Sequence, residues 1–90
     1  MIPHSLNLNS DSDLLKDIKK YSKDNNIYGF VSGIVGNLKR ACIQCPNKNS
    51  NNIYEGNLEI ISLNGFFDKG DVHLHLCLSD EECNVFGGHL

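Results

Sequence analysis

Three histidines carry the chemistry that this sequence offers. His73 and His75 are separated by one leucine, and His89 follows Gly87 and Gly88. In a strand, side chains at i and i+2 share a face, so His73 and His75 project together while Leu74, Leu76 and Leu78 face the other way. A polar turn over residues 80–84 lets the segment from Val85 return antiparallel to residues 72–79, which brings His89 beside the pair. The two glycines let the backbone run close to its neighbour there. Three neutral imidazoles at about 2.0–2.1 Å from one ion suit zinc and leave a fourth position for water or a ligand. Imidazole also takes other first-row divalent metals. On spacing alone, ordinary exposed strand histidines fit as well, because His-X-His is short and common. His4 has no partner in the sequence and reads as a surface residue.

The remaining reactive groups offer less. Cys42 and Cys45 have CxxC spacing, but a separation of three in a strand puts the sulfurs on opposite faces. No second CxxC is present and no helix follows, so ordinary strand thiols are expected. Cys77 shares the His75 face and is a conceivable fourth ligand. Glu55 and Glu59 are the carboxylates that could act as proton shuttles beside a metal, although a surface or interface role fits them better. There is no nucleophile–base pattern, phosphate-cradling loop or dinucleotide fingerprint, so no catalytic or cofactor-binding residue is assigned.

The elements that must position these groups follow from the apolar pattern. Residues 5–8 alternate apolar and polar and suggest a short first strand. Ser10, Asp11, Ser12 and Asp13 then supply helix-capping side chains, and Leu14, Leu15, Ile18 and Tyr21 recur at helical spacing. Lys16, Lys19, Lys20 and Lys23 occupy the opposite face, as a solvated stripe. Asn25 and Asn26 should end the helix. Strands are expected over residues 27–35, 41–45, 58–67, 72–79 and 85–90, with turns at residues 36–37, 55–57, 68–71 and 80–84 and a polar loop over 46–52. One helix with several antiparallel strands is an α+β domain.

Composition sets the outer bounds. Ninety residues make one domain, and a chain this short buries only about 60–65% of its extended surface, so association would help it. No apolar run is long enough for a membrane span. The first residues lack a signal-peptide pattern, so a cytoplasmic protein with reduced thiols is expected. The net charge of −3 argues against a dedicated nucleic-acid binder.

Three stretches taken together resemble the PPC (plants and prokaryotes conserved) domain of AT-hook nuclear-localised proteins and their stand-alone prokaryotic relatives. They are FVSGIVGNL over residues 30–38 with Ala41, YEGNLEIISLNG over residues 54–65, and HLHLCLSDEECNVFGGHL over residues 73–90. The resemblance implies a mostly antiparallel sheet with one flanking helix, assembled as a homotrimer. It also implies metal-binding histidines in some prokaryotic members, which carries over to His73, His75 and His89. The AT-hook core Arg-Gly-Arg-Pro is absent, so the DNA-binding half of the plant proteins is not matched. Two departures stand out. Cys83 occupies a turn position where the family has glycine. Relatives also continue past the final Gly-Gly-His-Leu, so residues 1–90 read as a single PPC-like domain that lacks the family's C-terminal strand region. The resulting expectation is a trimeric metal- or ligand-binding or regulatory module, with a zinc-dependent hydrolase or a DNA-associated protein as alternatives.

Overall fold

The computed structural model describes residues 1–90. Its single helix, α1, spans Leu14–Asp24. Asp13 caps it by accepting the Lys16 N–H at 3.0 Å, and Asn25 closes its other end, followed by Asn26 at φ 53°. Leu14, Leu15 and Ile18 turn inward against the core, as their spacing requires.

Five strands follow: β1 (Tyr28–Phe30), β2 (Asn37–Gln44), β3 (Asn51–Asp68), β4 (Asp71–Ser79) and β5 (Val85–His89). All pairings are antiparallel, in the order β1-β3-β2-β5-β4, with β3 also paired to β4. The ring β3–β2–β5–β4 therefore closes on itself, through a single β2–β5 pair, Gln44 with His89. Ala41, Ile43, Leu58, Leu63, Leu74, Leu76 and Leu78 form the buried core. The α+β class and the antiparallel sheet are as the sequence implies.

Three local expectations are corrected. Residues 5–8 are irregular and exposed, because no strand in the chain pairs with them. The strand expected over residues 27–35 is regular only at Tyr28–Phe30. After Phe30 the chain leaves β3 and rejoins the same edge as β2, held meanwhile by Val31 N–H to Gly65 O and Ile60 N–H to Gly36 O. The turn expected at residues 55–57 is a bulge inside an 18-residue strand, where the register slips between Leu38 and Arg40 and Gly56 has φ 129°.

Ser22 has no counterpart in the sequence reading. It is 1% exposed, donates to Lys19 O and accepts the Gly70 N–H at 2.9 Å. That bond fastens α1 to the two-residue turn between β3 and β4, whose central residues, Lys69 and Gly70, both have positive φ.

Candidate metal centre

β4 alternates as expected: Leu74, Leu76 and Leu78 are buried, while His73 and His75 are exposed on the outer face. The turn that returns the chain is built by Asp80. Its carboxylate accepts from the backbone N–H groups of Glu82 and Asn84 and from the Asn84 side chain. Those bonds, with the Asn84 side chain the largest contributor, hold the Asp80 carboxyl below its ordinary range. Cys83 sits within the turn at φ 64°, the left-handed region that its glycine-like position demands.

β5 then pairs with β4 so that His89 stands opposite His75, Gly88 opposite Leu76 and Gly87 opposite Cys77. The backbone passes closely here. A Cβ on Gly88 would lie 2.6 Å from the Gln44 carbonyl oxygen, and one on Gly87 would collide with the Leu76 carbonyl. Only glycine lets β5 enter between β2 and β4 and bring His89 to the face that carries the histidine pair.

The three rings converge. Centroid separations are 5.1 Å for His73–His75, 5.0 Å for His73–His89 and 5.7 Å for His75–His89. Imidazoles ligating one tetrahedral ion through bonds of about 2.0–2.1 Å have centroids about 5.2 Å apart, so the spacing matches. The ring pose does not: no group of three or more His, Cys, Asp or Glu side chains is already disposed to hold a metal ion. Centroid spacing is set by the strands together with each χ1, whereas rotation about χ2 is soft, because the terminal torsion of histidine is broad. Coordination of one ion by these three rings would require them to turn.

Both ring nitrogens of His89 are buried and lack a hydrogen-bond partner. A buried polar atom left unpaired costs about 1–3 kcal/mol, which a ligand on one nitrogen would relieve. His73 is steadied from its other side by Phe66, whose ring stacks on it at 5.6 Å and 14°. Phe66 and Asn64 are the β3 partners of His73 and His75. Sequence reasoning missed them, yet the two-residue turn at Lys69 and Gly70 fixes this hairpin register and is the signal that could have found them.

The other candidates do not join. Glu59 is paired with Ser79, four residues along β4 from His75, which is about 13 Å at strand spacing. Glu55 faces Arg40 at 3.8 Å instead. Cys77 shares the outer face but lies beyond His75 from His73, away from the centre of the trio. Cys45 Sγ accepts from the Asn52 side chain, and all four cysteines are free. His4 is exposed and hydrogen-bonded to the Tyr21 hydroxyl at 2.9 Å. No helix is long and apolar enough to cross a membrane.

Comparison with known proteins accords with this architecture. The chain is 30% identical over 88 residues to the bifunctional protein GlmU of Synechococcus sp. (strain JA-3-3Ab), a match covering 97% of this chain and 14% of that protein. GlmU of Synechococcus sp. (strain JA-2-3B'a(2-13)) matches to the same extent. The chain thus spans a small fraction of those curated relatives. Among solved structures, a hypothetical protein from Salmonella enterica superposes with a TM-score of 0.84 at 25% identity, covering 88% of this chain and 58% of that one. A protein from Bacteroides thetaiotaomicron, provisionally described as DNA-binding, superposes with a TM-score of 0.80 at 19% identity, over 92% and 63% of the two chains. The sequence profile of the Plants and Prokaryotes Conserved domain, abbreviated PCC, matches residues 1–90, and the chain belongs to that family.

Proposed function

We propose that this chain acts as a homotrimeric metal- or small-ligand-binding regulatory module of the cytoplasm, with His73, His75 and His89 holding zinc or another divalent transition metal. The observation that carries the reading is the meeting of three imidazoles at 5.0–5.7 Å, one of them with both nitrogens buried and unpartnered. A bound metal would supply a Lewis-acidic position for a small donor ligand. The chain's part is to orient the rings: β4 sets His73 and His75, the two glycines bring in His89, and Phe66 braces His73.

Assembly is supported by the thin core, in which only seven apolar residues are buried. Tyr28, Phe30, Ile61 and Phe66 each remain more than half exposed, and a subunit contact would cover such residues. The trimeric number rests on the family resemblance.

A binding module is favoured over a zinc-dependent hydrolase because Glu59, the best candidate base, lies out of reach of the trio. A second reading, association with DNA, draws on the provisional description of the Bacteroides neighbour and on the lysine stripe of α1. It lacks a basic excess, and salt-dependent binding to A·T-rich duplex would be its signature.

The test is elemental analysis of untagged protein together with its mass in solution. A trimer retaining a divalent transition metal, which His73→Ala and His75→Ala each remove, supports the module. A metal-free protein that takes up none on exposure to zinc ends the metal reading, and a monomeric mass ends the trimeric one.

A further inference from the structure

Asparagine recurs along this chain, yet glycine follows it only once, at Asn64–Gly65. That pair has a chemistry of its own. The main-chain nitrogen after an asparagine can attack the side-chain amide carbon, and glycine, having no side chain, hinders the attack least. Such a pair is at home in a tight turn, but here it lies inside β3, and the fold demands the glycine. Gly65 has φ 144°, and a Cβ there would collide with the His73 carbonyl and lie 2.9 Å from Leu74 Cα. No bulkier residue can follow Asn64 without moving β4.

Two further features favour the attack. Asn64 is exposed. Its side chain must also swing towards the next nitrogen, which takes the Asn64 backbone out of its extended conformation, and β3 is least held at this point. β1 pairs with β3 only at residues 66–68 and β2 only within residues 51–59, so residues 60–65 have β4 as their one strand partner. On the other side the chain is tied by Val31 N–H to Gly65 O and Ile60 N–H to Gly36 O, and the Gly65 N–H donates nothing to that segment. The β3–β4 register also slips between Ile60 and Ser62, just before the pair. A bulged stretch paired on one side opens locally more readily than a strand paired on both.

We propose that Asn64 is a site of spontaneous modification, converting to aspartate and isoaspartate on the face that carries the histidines. The Gly65 nitrogen forms a bond to Asn64 Cγ while the Cγ–Nδ2 bond breaks, and ammonia departs with the proton of the Gly65 amide. Water then opens the resulting five-membered imide. Attack at the side-chain carbonyl gives aspartate. Attack at the main-chain carbonyl gives isoaspartate, in which the chain runs through the former side chain.

The consequence falls on the histidines. Asn64 is the cross-strand partner of His75, and directly opposed residues have Cβ atoms about 4.5–5.5 Å apart. Aspartate sets a negative acceptor beside that imidazole and leaves the strand intact. Isoaspartate adds a methylene to the main chain of β3, so the Leu63–Leu76 and Phe66–His73 pairings on either side no longer both fit. Phe66 then shifts from the His73 ring on which it stacks. The reaction needs no metal, so it is independent of whether the three histidines hold one.

The experiment is incubation of the folded native chain in mildly alkaline buffer, with peptide mass mapping and enzymatic methylation of isoaspartate. Residue 64 should convert before Asn9 and Asn49, the asparagines followed by serine, and should yield both products. Conversion should quicken as pH rises, because the attacking nitrogen must lose its proton. Asn64→Gln should block it, since the longer side chain would have to close a six-membered ring. The isoaspartate form, separated from the aspartate form, should unfold at lower denaturant than Asn64→Asp, and equal midpoints would contradict the effect on β3. An intact Asn64 once Asn9 or Asn49 has converted overturns the proposal. So does aspartate formed without isoaspartate, which would mean direct hydrolysis with no part for the Gly65 nitrogen.

Discussion

His75 and His89 are directly opposed across β4 and β5, with ring centroids 5.7 Å apart. Because they are a cross-strand pair, their opposition is a property of the sheet, and side-chain torsions set only the final ring separation. His73, two residues along β4, completes the trio from the same face. The glycines before His89 make this opposition possible, since any side chain there meets the backbone of β2 or β4.

Gly88→Ala therefore tests the positioning. Its methyl group would lie 2.6 Å from the Gln44 carbonyl and 2.7 Å from Ile43 Cγ2. β5 must withdraw, at a cost of about 1–3 kcal/mol for an overpacked site. Chemical denaturation should show that loss, and zinc affinity should fall with it. Unchanged stability would mean that β5 has another way in.

Ser22→Ala removes the hydroxyl that accepts from Gly70 and leaves that N–H without its partner. Stability should drop by about 1–3 kcal/mol, seen as a lower denaturation midpoint with an unchanged slope. Zinc binding should be unaffected, because α1 packs against the buried core on the face of β4 opposite His73 and His75.

Cys83→Gly should go the other way. A cysteine held at φ 64° is strained by its Cβ, and glycine relieves about 1 kcal/mol of that, partly offset by the freer unfolded chain. A rise of a few degrees in thermal midpoint is expected. A fall would show that the Cys83 side chain makes a contact worth more than the strain.

The Asp80 turn gives a pH dependence with a definite sign. Hydrogen bonds from Asn84 and Glu82 lower its carboxyl below the ordinary value of 3.8. A depressed folded-state value means stability that is present above the unfolded carboxylate range and is lost as pH falls through the folded one. Asp80→Ala should be less stable than the native chain at neutral pH, and the gap should shrink on acidification below pH about 4. A gap that does not change down to pH about 2 would show that the turn does not depend on the ionised carboxyl.

How much of this was legible in the sequence depends on the range of the interactions. The α1 caps, the Leu74–Leu76–Leu78 alternation, the Asp80 turn and the return of His89 are all set by near neighbours, and each appears as read. Gly56 misled because glycine marks a bulge as readily as a turn, and only β2, pairing through it, decides which. Residues 27–35 misled because strand-forming side chains need an edge to pair with, and the chain there passes from one end of β3 to the other. Residues 5–8 carry a strand pattern but find no partner within the chain. Ser22 looked like a polar helix residue until the β3–β4 turn, 48 positions away, supplied its donor.

A calorimetric zinc titration of the native chain beside His89→Ala bears on the centre most directly. About one equivalent should bind per chain. His89→Ala should weaken that binding by at least about tenfold, with circular dichroism unchanged. Equal affinity in the two proteins, or no saturable binding by the native chain, would contradict the convergence of these three side chains on one ion.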